Sequence, residues 1–538
     1  MGQNETCKRL CEEQKFDPRA TKFVNRRIWQ GYNLNWLIDG LPAGSLSEDP
    51  LTKTQFYSPG FPLGQIEAEK PQLNNYYEII IDYHETSAGK YRVVGVLVQP
   101  WSRGNARNLD NGGADCGDAG TALVLSEEGD TAVTWVYSVY WRPSPTAWAT
   151  RWDKYLHVFD PKIHWFSLIN SAIIVVFLVG MVSMILLRAL RKDIARYNRL
   201  DQINLDDLSG ANGFEDGVQE DSGWKLVHGD VFRPPKAPLI LSVLLGNGAQ
   251  LFVMTAITIL FALLGFLSPS NRGSIGTVMI LLYTLFGFIG GYISARTYKS
   301  FGGEAWKRNI VLTPVFTPGL VFGVFFLLNL FLWAKQSSGA VPFTTMLVIV
   351  GIWFVVSVPL SFAGSWMGFK QAAVSNPVRT NQIPRQIPPM PTYLRPIPSM
   401  LLVGILPFGA IFVELYFIMS SIWFGKVYYM FGFLFLCYGL MILTCAAVTI
   451  LMIYFLLCAE NYHWQWRAFF TAGASAVYVF ANALIYWLSK LSLGSFTSGV
   501  LYVGYSALIS FLVFILTGTI GFFSSWAFVH RIYGSIKV

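Results

Sequence analysis

Between Phe166 and Phe528 the chain carries nine long apolar stretches, and the basic residues outside them fall on alternate sides. A helix needs ~20 apolar residues to cross ~30 Å of hydrocarbon. The stretches near 166–188, 238–267, 275–297, 311–333, 342–365, 399–423, 429–457, 468–489 and 500–528 meet that length. Lipid offers backbone groups no partners, so each stretch must satisfy its own as a helix. The pattern predicts a polytopic α-helical membrane protein with nine transmembrane helices. Charged residues make up 13% of the chain, against about 25% in a soluble protein.

The basic residues orient the bundle. Nineteen lysines and arginines follow spans one, three, five, seven and nine, and four lie in the opposite loops. Positive loops stay in the cytosol, so the C-terminus is expected there and the N-terminal region in a lumen. The net charge of +8 is spread beside spans, not gathered in a patch, so nucleic acid is not an expected partner. The expected division is a luminal domain over 1–160, a bundle over 161–528 and a cytosolic tail over 529–538. Cytosolic loops are expected at 189–237 and 366–398. The first contains an acidic Gly-rich run, Asp201–Asp221, expected to be mobile. The second holds seven prolines between Pro377 and Pro398; it is expected to be extended and held against something.

Residues 1–160 read as a β-sandwich-like domain. Tyr76–Tyr83 and Tyr91–Val98 are β-branched and aromatic, with the turn-like Ser87-Ala88-Gly89-Lys90 between them, so a hairpin is expected. Thr131–Trp141 alternates and reads as another strand. Met1–Arg19 has no apolar core of a signal peptide, so a luminal domain implies that a preceding segment is missing here. Asn4-Glu5-Thr6 is a glycosylation sequon at Asn4. In an oxidising compartment Cys7, Cys11 and Cys116 allow one disulfide with one thiol left over, and Cys7 with Cys11 is the candidate pair.

Inside the spans, Glu414 is the sharpest polar anomaly. An intramembrane carboxylate is a site hypothesis by default; its bland reading is a protonated group bonded to Asn247, Gln250, Asn329 or Asn482. Pro407 and Gly409 just before it offer a kink or a local helix break. Gly287/Gly291, Gly319/Gly323 and Gly364/Gly368 are GxxxG pairs, which let helices approach closely. They serve internal packing or a groove for a client helix. No His/Cys set suits a metal, and no nucleotide or hydrolase motif appears. No cofactor and no enzyme activity are expected.

Six segments in order resemble the transmembrane 9 superfamily (nonaspanins, the endomembrane protein 70 family): Gly223–Pro235 (GWKLVHGDVFRPP), Leu245–Val253 (LGNGAQLFV), Gly291–Lys299 (GYISARTYK), Asn376–Pro388 (NPVRTNQIPRQIP), Leu406–Trp423 and Glu460–Arg467 (ENYHWQWR). They span residues 160–538; the N-terminal part matches mainly through Cys7-Lys-Arg-Leu-Cys11. Asn461 and Gln465 depart from the family pattern, which more often has an acidic residue and Trp there. The resemblance implies a luminal β-domain before nine spans, residence in Golgi and endosomal membranes, and roles in sorting and surface delivery of membrane proteins. It implies clients with glycine-rich transmembrane segments, and effects on adhesion and copper homeostasis. It also implies a tail ending Lys-x-Asp or Lys-x-Glu that binds the COPI coat. Lys537 matches and Val538 follows it, so coat binding is expected only where an acidic residue closes the tail. Two other readings stay open: an ion, metal or small-solute transporter using Glu414, and an adhesion scaffold acting through residues 1–150. Lipids are expected partners in all three.

Overall fold

The computed structural model describes residues 3–48, 55–67, 70–87, 89–104, 116, 121–155, 165–209, 223–264, 274–335, 337, 339–423, 431–491 and 495–535. Within these elements the side chains of 86–87, 149–150, 153, 165–168, 171, 196–209, 274–275, 413–414, 417–423 and 431–433 lie outside the description. The chain divides into two compact units, one essentially Met1–Pro161 and the other the rest of the chain.

In the first unit six strands form one mixed sheet. They are β1 (Glu5–Arg9), β2 (Gly44–Glu48), β3 (Gln55–Pro59), β4 (Tyr76–Ser87), β5 (Lys90–Trp101) and β6 (Val136–Pro143), in the order β1-β6-β4-β5-β2-β3. The expected hairpin is β4–β5, turning at Gly89, whose φ of +81° suits glycine. The expected strand over 131–141 is split instead: Thr131–Val133 pairs elsewhere, and β6 begins at Val136, running parallel to β4. Asn75 makes the split. Its Nδ2 donates to the Thr134 carbonyl, and its own carbonyl accepts the Val136 N–H. Further two-stranded pieces complete this strand-rich domain. Helix α1 (Pro18–Trp29) starts where the Asp17 side chain accepts the Ala20 N–H, with Pro18 in the first turn. Leu41, Phe61, Tyr77 and Val96 form the core.

One buried carboxylate ties the sheet together. Asp82 on β4 is 1% exposed and accepts from Arg142 Nε at 2.8 Å, Lys154 Nζ at 2.7 Å and the Tyr57 hydroxyl at 3.0 Å. Burial alone would raise its pKa; the Arg142 and Lys154 bonds outweigh that and hold it below the ordinary carboxylate value. The same burial, with the carboxylate beside it, pushes the Tyr57 hydroxyl up to about 12. The disulfide joins Cys7 to Cys116, and Cys11 is a free thiol. This corrects the expected Cys7–Cys11 pair: β1 lies against β6, and there Cys7 and Cys116 pack with Tyr76 and Val136.

The second unit is helical. Its helices are α2 (Trp165–Ser209), α3 (Pro238–Leu263), α4 (Ser274–Leu285), α5 (Gly287–Ser300), α6 (Trp306–Ala334), α7 (Phe343–Ile352), α8 (Val358–Lys370), α9 (Pro396–Trp423), α10 (Phe431–Cys458), α11 (Trp464–Gly473), α12 (Ser475–Lys490) and α13 (Phe496–Gly534). Among the described residues eight helical segments are long and apolar enough to cross a membrane, and Pro396–Phe412 of α9 adds a shorter apolar stretch. These coincide with the nine apolar stretches of the sequence, the sixth of them through α9, and make the polytopic helical bundle the sequence predicts. Helix α2 continues to Ser209, so the start of the Asp201–Asp221 run is helical; 210–222 lie outside the described residues.

Three spans are not continuous α-helices. Span three breaks at Phe286 between α4 and α5. Span five contains a π-turn, Trp353–Ser357, between α7 and α8. Span eight is interrupted at Ala474 between α11 and α12. A π-turn or a break frees backbone groups, and these must find partners inside the protein.

Candidate functional site

Three of the motif segments, far apart in sequence, meet at the basic end of the bundle. Asp230 pairs with Arg233 within Gly223–Pro235, and Arg233 Nη2 donates to the Asn381 carbonyl at 2.9 Å. The Asn381 N–H returns a bond to the Gly229 carbonyl at 2.7 Å. A Cβ at Gly229 would fall on the Asn381 side-chain amide, so a larger residue there would have to displace that side chain. Arg385 links the Pro-rich segment to the third motif. Its N–H donates to Asp230 Oδ2, its Nη2 to Glu460 at 3.1 Å, and its carbonyl accepts from Tyr462. Trp464 Nε1 and Gln465 Nε2 donate to the carbonyls of Val231 and Arg233 at 2.8 and 2.9 Å. Tyr533 at the end of α13 closes the knot by donating to the Trp224 carbonyl at 2.8 Å.

This knot holds five of the seven prolines. Residues 371–391 are non-helical, as expected, and Arg233 takes up the Asn381 carbonyl while Asp230 and Tyr462 take up the N–H and carbonyl of Arg385; Pro396 and Pro398 instead lie in the first turn of α9, where a missing N–H costs little. The departures from the family pattern are absorbed here too. Asn461 Nδ2 contacts Met390 Sδ at 3.2 Å and its Oδ1 accepts the His463 N–H, while Gln465 fills a backbone-bonding role. Burial first, then the charges of Lys236 and Arg233, lower the His463 pKa. His228 bonds the Lys225 carbonyl through Nδ1.

The sequence marks Arg467 only as an orienting charge before span eight and as the end of the Glu460–Arg467 segment. It is 8% exposed, and its Nη2 donates to the Leu394 carbonyl and to Ser399 Oγ, each at 2.8 Å. It thus fastens the Pro-rich segment to the start of α9. Its signal was present in the sequence as a cation at the entry of a span.

The intramembrane polar residues turn out to serve the backbone. Gln250 Nε2 donates to the Tyr283 carbonyl at 2.7 Å. In a continuous helix that carbonyl would receive the Gly287 N–H, but span three breaks there, so Gln250 caps the break. Asn247 Nδ2 donates to the carbonyls of Val243 and Thr313, at 2.9 and 3.1 Å. Asn309, unflagged by sequence, bonds Ser242 and Ser294, and Ser294 bonds Thr313, so α3, α5 and α6 share a buried polar seam. Pro318 in α6 lacks the N–H that would reach the Pro314 carbonyl, and Trp353 Nε1 supplies it at 2.9 Å. Asn329 exchanges bonds with Val341. Glu414 lies in α9, but its side chain is outside the described residues, as is Lys537.

The six glycines separate into two classes. At Gly291 a Cβ would sit on the Ser361 carbonyl oxygen, and at Gly364 on that of Phe288. At Gly368 it would lie 2.7 Å from the Tyr292 oxygen, and at Gly287 3.3 Å from that of Ser357. These four glycines interlock α5 with α8 and are consumed by internal packing. Gly323 has no atom within 4 Å of its Cβ position, and Gly319 meets only the edge of Trp353 at 3.6 Å. Both lie on α6, whose span is only 17% buried. Near the opposite end of the bundle an apolar crevice of about 580 Å³ lies between Leu328, Trp487, Phe496, Gly499, Val503 and Gly504. Asn4 is exposed, with its Oδ1 accepting the Trp141 N–H. Among the described residues no three His, Cys, Asp or Glu side chains cluster as metal ligands.

A family model described as Endomembrane protein 70 matches residues 1–496. The chain is 48% identical to Transmembrane 9 superfamily member 1 of Saccharomyces cerevisiae, covering 100% of itself and 83% of that protein. It is 42% identical to human Transmembrane 9 superfamily member 2, over 100% of this chain and 83% of the relative. Against human Transmembrane 9 superfamily member 4 the identity is 41%, over 100% and 85%. No solved structure matches.

Proposed function

The chain belongs to the endomembrane protein 70 family, the transmembrane 9 superfamily, and from that premise we propose that it sorts other membrane proteins. In this reading it acts in Golgi and endosomal membranes, with the strand-rich domain in the lumen and the basic end of the bundle in the cytosol. It governs delivery of clients to the surface by accepting their glycine-rich transmembrane helices. It is not an enzyme. The COPI coat is a partner through Lys537 where an acidic residue follows.

One observation carries the reading. Of three close-packing glycine pairs, two are spent on the α5/α8 contact, and Gly319/Gly323 is left half-buried with open space beside Gly323. Helices in lipid associate by van der Waals packing and close backbone approach, not by hydrophobic drive. A glycine-rich helix packs well only against another surface of small residues. The α6 face offers one, four residues long and flanked by the exposed Phe316, Leu320 and Leu327.

The test is co-purification of a client with a glycine-rich span from cells carrying Gly323→Leu or the double variant Gly319→Leu/Gly323→Leu. Client recovery should fall severalfold while the variant keeps wild-type expression and elution. Undiminished recovery with a folded double variant removes α6 as the client surface.

A further inference from the structure

A cavity of about 220 Å³ lies between α5, α13 and the segment that follows α8. Its lining includes Arg296 and Phe301 from the end of α5, Val374 from the segment, and Phe522, Phe523 and Trp526 from α13. One end is cationic and the walls are aromatic. Both helices belong to membrane spans, and the cavity sits at their basic end, where Lys299 also lies.

The charge is not balanced from within. Lys299 Nζ is taken by the carbonyls of Phe369 and Gln371, at 2.7 and 2.6 Å, the open C-terminal end of α8. Arg296 Nη1 donates to the Ala372 carbonyl at 2.8 Å. Among the described residues Arg296 enters no ion pair. A guanidinium carries five N–H donors in a planar fork, and one carbonyl uses a single donor. The bond to Ala372 fixes the side chain while leaving the rest of the fork to an incoming anion. The hydroxyls of Thr297 and Ser300 are turned inward to the carbonyls of Ile293 and Arg296, so they do not compete for it.

Size and wall chemistry narrow the occupant. A cavity of about 220 Å³ has room for a phosphate and its glycerol but not for a helix. Soluble phosphate would gain nothing from Phe522, Phe523 and Trp526. A lipid gains from both ends, since its phosphate meets the guanidinium fork and its first chain segments meet the rings. We propose that this cavity is a binding site for the headgroup of an anionic glycerophospholipid, with Arg296 as the phosphate ligand. A net negative headgroup is favoured over a zwitterionic one because Arg296 and Lys299 lie one helical turn apart and repel a choline ammonium.

The full chain, purified in detergent, is titrated with phosphatidylserine, phosphatidylcholine or inorganic phosphate and read by native mass spectrometry. Phosphatidylserine should bind about tenfold more tightly than phosphatidylcholine, and inorganic phosphate should neither bind nor displace it. Arg296→Gln should weaken phosphatidylserine about tenfold, the scale of one charge-assisted contact. Val374→Trp, which fills the cavity without touching the charge, should weaken it as well and decides the matter if Arg296→Gln fails to fold. Wild-type binding in Val374→Trp overturns the site. Equal binding of the two lipids overturns the headgroup assignment, and displacement by inorganic phosphate overturns the lipid.

Discussion

The contact between α5 and α8 can be weakened one glycine at a time, and the structure ranks the results. Alanine adds a single methyl. In a helix it is favoured over glycine by about 1 kcal/mol, so an unobstructed site should tolerate or welcome it. Gly323, with nothing within 4 Å, is such a site. At Gly287 the methyl would lie 3.3 Å from the Ser357 oxygen, a mild overlap that about cancels the gain. At Gly368 it would lie 2.7 Å from the Tyr292 oxygen and 2.9 Å from the Ala295 methyl. At Gly364 and Gly291 it would fall on backbone carbonyls of the partner helix, which have no rotamer to move to. Restoring contact distance there means parting the helices by roughly 1 Å, and a gap of that order forfeits about a quarter to a half of each dispersion contact along the seam. Overpacking of this kind costs about 1–3 kcal/mol. The apparent melting temperature of the full chain in one detergent, followed by size-exclusion fluorescence, should therefore fall in the order Gly323→Ala, Gly287→Ala, Gly368→Ala, then Gly364→Ala and Gly291→Ala. Gly364→Ala as stable as wild type, or less damaging than Gly323→Ala, would refute the interlock. The same ranking makes Gly364→Leu unsuitable for testing client binding, because it attacks the fold.

Trp353→Phe should destabilise by about 1–3 kcal/mol by leaving the Pro314 carbonyl unpaired, whereas on a Pro318→Ala background, where an N–H is restored, the loss should largely vanish in a double-mutant cycle of thermal stability. Asp82, held below its unfolded value of about 3.9, contributes stability that is complete above that pH and is lost as pH falls through the lower folded value. Hydrogen-exchange protection factors across β4, corrected for the intrinsic rate at each pH, should accordingly fall only below about pH 4, and Asp82→Asn should lower them at neutral pH, where unchanged protection would count against the Arg142–Lys154–Tyr57 knot.

The parts of the fold that depend on local pattern were legible in the sequence. The spans follow from apolar length, and the β4–β5 hairpin from two aromatic, β-branched runs around Gly89. What was hidden depends on partners distant in the chain. The break at Phe286 has no proline to announce it, and it is tolerated because Gln250 caps the Tyr283 carbonyl from another helix. The π-turn at Trp353–Ser357 is likewise supported from outside, through Trp353 and the Pro314 carbonyl that Pro318 frees. Cys7 and Cys11 stand together in the segment that carries the N-terminal resemblance, yet the bond joins Cys7 to a residue 109 positions away. The motif segments were legible by resemblance, but their convergence was not. Arg233 reaches Asn381 across 148 residues, and nothing in either segment encodes the meeting.

The polar interior also bears on how such a bundle can act. Transport through the seam would require Asn247 or Gln250 to turn toward a passing solute. Each amide nitrogen now bonds a main-chain carbonyl of another helix, Thr313 and Tyr283 respectively. Releasing it leaves a carbonyl unpaired away from water, at a cost of about 1–3 kcal/mol on the mutational scale and more in hydrocarbon. A solute would have to repay that at each step of its path. The outer spans face no such barrier. The windows of α3 and α10 are 61% and 56% buried, against 17% for α6 and 11% for α2. The centre is committed to holding broken helices together, and the surface still open to a partner is the lipid-facing side. Under the sorting role proposed above, a client helix would be met at the rim, where it can arrive laterally from the bilayer and leave without any core hydrogen bond being broken.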